Sequence, residues 1–253
     1  MKIVFIGSGN LATHMAEVCR LAGHLIVQVF SRTIDNAEAL ATKTGAMAVT
    51  SLKQITPDAD LYIFSVKDDV LSAVIQQMPP TRGIWAHTSG SLSMELFAGY
   101  VSDFGVIYPL QTFSKQRQIN FAAIPIFIEG NNPDTICQLE ELANSLSRNV
   151  RVLSGDKRRQ LHLAAVLACN FVNHLYVLAA EIIDQEDLPF DLLLPLIAET
   201  AAKVEMMTPR EAQTGPALRY DETVMQKHLS LLADAQMKEL YTLLSTSIHQ
   251  HTI

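Results

Sequence analysis

The feature that most constrains this chain stands at its start. Residues 2–6 (KIVFI) form an apolar run that passes directly into Gly7-Ser8-Gly9-Asn10-Leu11-Ala12, and amphipathic text continues to Ala22. A strand, a G-x-G-x-x-A turn and a helix in immediate succession assign each small residue a separate task. Gly7 allows the tight turn, Gly9 lets a diphosphate approach the backbone, and Ala12 lets the helix pack closely on the strand. The helix start then offers unpaired N–H groups and the positive end of its dipole to an anion. A tight turn that binds nothing could carry the same glycines, so the surroundings of the motif matter. A second apolar run, Leu25–Phe30, ends about twenty residues on, where this fingerprint expects its second strand.

That second run closes as VFSRT, and the ending is informative. An acidic residue at this place takes the ribose hydroxyls of NAD; here stand Ser31, Arg32 and Thr33. A carboxylate would repel the extra phosphate of NADP, whereas a guanidinium pairs with it through two hydrogen bonds. The stretch reads as a seat for the NADP 2′-phosphate. The other reading is an ordinary exposed arginine at a strand end.

Further along, short apolar runs alternate with amphipathic stretches, as in a parallel sheet covered by helices. The expected strands are Lys2–Ile6, Leu25–Phe30, Leu61–Ser65, Ile84–His87, Val106–Tyr108, Ile124–Ile128 and an edge strand, Val150–Leu153. The expected helices are Asn10–Ala22, Asp35–Thr44, Asp69–Gln77 and Pro133–Leu146. After Ser154-Gly155 the text reads as helices only, near 156–184, 190–207, 209–214, 222–232 and 234–249. Thr208-Pro209-Arg210-Glu211 is a helix start with cap, proline and glutamate in order, and Asp221 caps the next helix. The fold class is therefore α/β: a doubly wound, Rossmann-like parallel sheet over residues 1–153, followed by an all-helical domain over residues 154–253.

Composition narrows the partners. A net charge of -7 argues against a protein that binds nucleic acid through its phosphates. Cys19, Cys137 and Cys169 are odd in number and far apart, which suits reduced thiols in the cytoplasm and gives no metal-ligand spacing. The apolar run before Gly7 is too short for the core of a signal peptide. Residues 161–183 are long and apolar enough to suggest a membrane span, but His162, Asn170, Asn173, His174 and Glu181 interrupt them. A buried central helix, and no membrane, is the expectation. Lys157-Arg158-Arg159 reads as a solvated helix start.

Ligands in open α/β sheets sit beyond the carboxyl ends of the strands, so the residues there are the candidates for chemistry. Ser65, Val66 and Lys67 should border the cofactor, with Asp68 or Asp69 capping the helix that follows. His87-Thr88-Ser89-Gly90-Ser91 offers hydroxyls, Ser89 among them, and open backbone amides where a substrate carboxylate could sit, with a proton donor in His87; Ser89 or Ser91 could equally cap the next helix. Tyr108 is either a buried tyrosine with one partner or an acid beside the ligand. In the long apolar helix His162, Cys169 and Asn173 share one arc, and Asn170 and His174 a neighbouring face. Polar groups in such a helix cost free energy unless partnered, so they either tie the two domains together or reach the cofactor.

The segments GSGNLA, SRT, SVKDD, HTSGSL, IYPLQTFS, HLAAVLACNFVNHL and TGPALRYDETVMQKHL together resemble a family of bacterial NADP-oxidoreductase-like proteins, across nearly the whole chain. That family joins a Rossmann-like half to a helical C-terminal domain of unassigned function. More distantly the chain is similar to pyrroline-5-carboxylate reductase, ketopantoate reductase and prephenate dehydrogenase. The resemblance implies NADP in the cleft and a homodimer joined through the helical domain. It also implies Ser89, Gly90 and Asn170 near the nicotinamide. Two positions depart from those relatives: Tyr108 stands where they often place a histidine before the proline, and no lysine precedes Asn170. The expectation is an NADP-dependent reductase or dehydrogenase passing hydride between nicotinamide and a small polar carbonyl or imine. Its substrate would lie near His87, Ser89, Tyr108, His162 and Asn170. The alternative is a protein that binds or senses NADP(H) without turnover. A methyltransferase using S-adenosylmethionine fits less well, because it would want an acid in place of Arg32.

Overall fold

The computed structural model describes residues 1–252. Two compact units divide the chain, Met1–His174 and the residues from Leu175 onward.

The first unit is built on one eight-stranded sheet. In chain order its strands are β1 (Lys2–Ile6), β2 (Leu25–Phe30), β3 (Met47–Val49), β4 (Leu61–Phe64), β5 (Ile84–His87), β6 (Phe104–Pro109), β7 (Ile126–Gly130) and β8 (Val150–Val152). Across the sheet the order is β3-β2-β1-β4-β5-β6-β7-β8. The chain therefore winds outward from β1 in one direction, then returns to β1 and winds the other way. That reversal opens a crevice at the carboxyl ends of β1 and β4. All neighbours pair parallel except β6 and β7, which run antiparallel.

Strand periodicity explains the two cores. Ile3 and Phe5 point to one face and pack with Met15, Leu40, Ile63 and Leu142. Val4 and Ile6 point to the other and pack with Tyr62, Phe64, Trp85 and Phe97. Because both faces are covered, the strands read as continuous apolar runs rather than as alternating ones. The sequence misses β3, and it gives no sign that β7 reverses: a buried strand reads the same in either direction.

Helices α1 (Asn10–Leu21), α2 (Ile34–Thr44), α3 (Asp68–Ile75) and α4 (Pro133–Leu146) cover the sheet. The Asn132 side chain caps α4 through the Thr135 N–H, with Pro133 in the first turn. Helix α5 (Gly155–Ala165) then belongs with the sheet, beyond the change of texture near residue 153. The reason is Arg158, which is only 1% exposed and ion-paired to Glu129 of β7. The basic triplet is thus not a wholly solvated helix start; its central residue points inward.

From α5 the chain continues through a π-helical turn, Val166–Phe171, into α6 (Val172–Asp184). The run Gly155–Asp184 is long and apolar enough to cross a membrane by length and composition. The expectation of a buried central helix is not met within this one chain: Leu163, Leu167 and Phe171 are 57%, 56% and 56% exposed. In the second unit α7 (Leu194–Met206), α8 (Pro209–Ala212), α9 (Glu222–Leu231) and α10 (Ala235–Thr252) follow. Thr208 and Glu211 form a reciprocal capping box on α8, and the Asp221 carboxylate accepts from Val224 N–H at the start of α9.

Candidate functional site

The turn between β1 and α1 is shaped for an anion. Gly7 has φ +120°, and a side chain there would collide with the carbonyl of Ser65 at the end of β4, so only glycine fits. Above Gly9 the space is open, with nothing within 4 Å of where a Cβ would sit. Helix α1 has no side-chain cap and no acid in its first turn, which leaves its leading N–H groups free for a ligand. A cleft of about 550 Å³ opens here. Gly7, Ser8, Gly9, Asn10 and Leu11 form its floor, Ser31 and Arg32 stand at the end of β2, and Ser65, Val66 and Lys67 at the end of β4. Those residues are the ones the sequence singles out for a dinucleotide. Thr33 does not line the cleft; it precedes α2, where its hydroxyl accepts from the Asn36 amide at 2.7 Å. The structure adds Asn36, Thr88 and Lys115 to the wall. Lys115 lies in an irregular loop, where no periodicity could have flagged it.

At the end of β5 the structure rearranges the expected roles. His87 is fully buried, packed on Phe97, and its Nδ1 accepts from the Ser89 N–H at 3.2 Å. That contact selects the tautomer protonated on Nε2, an atom that finds no partner of its own. Burial, reinforced by the charge of Arg158, pushes the His87 pKa down to about 4; the Ser93 backbone and Asp68 pull weakly the other way. A neutral histidine inside the core is no proton donor to the cleft, so the acid role expected for His87 is withdrawn. Ser89 Oγ donates to Asp68 at 2.8 Å and accepts from the N–H groups of Ser91 and Leu92. Its hydroxyl proton is spent on holding this loop. Asp68 does not cap α3 either: neither it nor Asp69 bonds the helix start, and Asp68 instead anchors Ser89 and Ser91.

The end of β6 brings two other candidates together. The Tyr108 hydroxyl lies 3.0 Å from Nδ1 of His162 on α5, with the rings edge to face at 77°. Burial raises the Tyr108 pKa above its ordinary value, partly offset by the positive charge of Arg158. Arg158 is held by the Glu129 carboxylate and the Leu92 carbonyl, and its Nε has no partner. Tyr108, His162, Cys169 and Asn170 line a cavity of about 600 Å³ that shares Leu11 with the nucleotide cleft. His87 and Ser89 do not line it. Cys169 keeps the arc of His162, and Asn170, within the π-helical turn, joins it on the cavity wall, while Asn173 and His174 do not line the cavity.

A cleft shaped for a dinucleotide lies next to a cavity lined by Tyr108 and His162, the arrangement of a nucleotide-binding α/β protein, and comparison with known proteins is more specific. Residues 2–87 match the family described as NADP oxidoreductase, coenzyme F420-dependent, and residues 124–248 match a domain of unknown function, DUF2520. The chain is 47% identical to a Bacteroides fragilis protein provisionally assigned as an NADP oxidoreductase. The match covers 98% of both chains at a TM-score of 0.92. The chain belongs to this NADP oxidoreductase family, whose cofactor is NADP. A Thermotoga maritima protein shares the fold at 24% identity, a TM-score of 0.81, and coverage of 98% of this chain and 99% of that one. So does a reductive aminase from Aspergillus terreus in complex with NADPH and ethyl levulinate, at 15% identity, a TM-score of 0.74, and coverage of 98% and 94%. No curated protein matches the chain.

Proposed function

We propose that this protein is an NADPH-dependent reductase that acts on the carbonyl or imine group of a small molecule held beside Tyr108. The observation that carries the reading is the Tyr108–His162 contact, set in a cavity that adjoins the nucleotide cleft through Leu11. When bound, NADPH supplies the hydride. The chain's part is to hold the substrate and move one proton. Tyr108 carries its phenolic proton at neutral pH as any tyrosine does, and burial holds that proton more firmly. It donates that proton to the substrate oxygen or nitrogen as the new C–H bond forms. His162 Nδ1 lies within reach to return a proton to the phenolate from the solvent side, and the field of Arg158 favours that transient negative charge. Asn170, with a donor and an acceptor on its amide, orients the substrate from the cavity rim.

The protein acts as a homodimer through its helical part, a reading supported by the exposure of Leu192, Leu196, Met206 and Leu243. Its three unpaired cysteines suit the cytoplasm. Consumption of NADPH, followed by its absorbance with a panel of ketones and cyclic imines, tests the reaction. Tyr108→Phe should lower kcat by about a hundredfold or more while NADPH affinity stays within about twofold. A variant as fast as the parent would remove Tyr108 from the chemistry.

A further inference from the structure

The walls of the cavity beside Tyr108 specify the substrate further; this step rests on the reductase reading above. Among the described residues that line the cavity, none is Lys, Arg, Asp or Glu. Leu11, Leu110, Phe113, Leu161 and Ala165 give it apolar walls, and the polar groups of Gln111, Thr112 and Asn170 are neutral. Apart from Tyr108, the ionisable side chains are Cys169 and His162, and His162 is engaged by the tyrosine hydroxyl. The cation whose field reaches Tyr108 is not available: Arg158 is buried, with its two terminal nitrogens given to Glu129 and to the Leu92 carbonyl. Arg32, Lys67 and Lys115 line the nucleotide cleft instead. A carboxylate or phosphate entering this cavity would surrender its hydration with no cation to replace it. An apolar body would gain from the same walls.

We infer that the substrate is uncharged: a ketone, aldehyde or imine whose reacting group meets Tyr108 and whose remainder is apolar, without carboxylate or phosphate.

Matched pairs test this on the protein saturated with tetrahydro-NADPH, whose nicotinamide ring is uncharged and gives no hydride: 2-heptanone against 6-oxoheptanoate, and 1-pyrroline against 1-pyrroline-5-carboxylate, each titrated calorimetrically. The neutral member should bind at least about tenfold more tightly in each pair. Gln111→Arg, on an exposed loop at the cavity wall, should narrow or reverse that preference by about tenfold and leave NADP⁺ affinity unchanged. Equal or tighter binding of the acids by the parent protein overturns the inference, as does binding of neither member. The reductase reading is judged separately, by NADPH oxidation. Preferential binding of neutral ligands without turnover would uphold the charge rule and sink the reductase. Faster reduction of the acids would do the reverse.

Discussion

Gly90 leaves no room for a side chain beside His162: a Cβ there would stand 2.6 Å from Nδ1 of that histidine and 2.9 Å from Cζ of Tyr108. The glycine of the H-T-S-G stretch is therefore packed directly against the Tyr108–His162 pair. Gly90→Ala should push His162 off the tyrosine. A shift of about an ångström in such a pair costs on the order of a hundredfold in rate. We expect kcat to fall by roughly that factor, with NADPH affinity held within about twofold, in steady-state kinetics paired with cofactor titration. An unchanged kcat would mean that the pair has no part in the reaction.

His87 sets an acid limit on stability. Its pKa is about 4 in the folded chain against an ordinary 6.5, so the unfolded chain takes up a proton that the folded one refuses. The stabilising contribution is complete above pH 6.5 and is lost as pH falls from there toward 4, amounting to about 3 kcal/mol at most. In His87→Asn the amide oxygen can still accept from the Ser89 N–H, yet nothing titrates. Urea unfolding at a series of pH values should give that variant a flatter profile than the parent between pH 6.5 and 4. Parallel profiles would show that His87 protonates freely in the fold.

Arg158 and Glu129 should matter more when one is removed than when both are. Glu129→Ala leaves a buried guanidinium uncompensated, a loss of about 3–5 kcal/mol. In a chain of this size that lowers Tm by roughly 6–20 °C. Replacing Arg158 with Met and Glu129 with Leu together removes both charges and should recover much of the loss. Thermal scans of the single and double variants decide it. A double variant less stable than the single would point to a role for Arg158 beyond its partner.

How much of this was legible in the sequence depends on whether the determining contacts are local. The glycine turn, the capping box at Thr208 and the cap at Asp221 are all decided within a few residues, and each reads correctly. Strand β3 has only three residues, too few to show a period. The burial of Arg158 is decided by Glu129, on a strand far back along the chain, so a basic triplet at a helix start gave no sign of it. Tyr108 and His162 were each visible as candidates, but they are 54 residues apart and only the packing of α5 pairs them. The π-helical turn is a backbone irregularity with no marker in its residues Val166–Phe171; Cys169 shares the arc of His162 at ordinary helical spacing, but Asn170 does not, and its place on the cavity wall could not be read from that spacing.

The exposed side chains of the helical part carry the expectation of a dimer. Leu192, Leu194, Leu196, Met206 and Leu243 all stand more than half exposed, apolar surface of the kind that an interface between copies covers. Light scattering at micromolar concentration should give the mass of a dimer. Leu196→Glu should shift the population toward a chain of half that mass. A monomeric parent would refute the dimer.

Arg32 carries the last expectation, on the choice of cofactor. It stands with Ser31 at the end of β2, on the wall of the cleft that the glycine turn floors, where the ribose 2′ position of a dinucleotide lies in folds of this kind. A guanidinium there pairs with the 2′-phosphate of NADPH and finds nothing comparable on NADH. Charge-assisted hydrogen bonds of this sort contribute about 1.5–3 kcal/mol, which is roughly ten- to a hundredfold in affinity. Arg32→Ala should erase most of that gap, chiefly by weakening NADPH. Adding Ser31→Asp should carry the change further and reverse the preference, because a carboxylate accepts from the ribose hydroxyls and repels the phosphate. Arg32 is exposed, so part of the gap is screened electrostatics and should shrink as salt rises. Calorimetric titration of both cofactors against the parent and the two variants measures each of these steps. Equal affinity of the parent for NADH and NADPH would leave Arg32 as a surface arginine and put the source of cofactor choice elsewhere, with Lys115 on the same wall the next residue to replace.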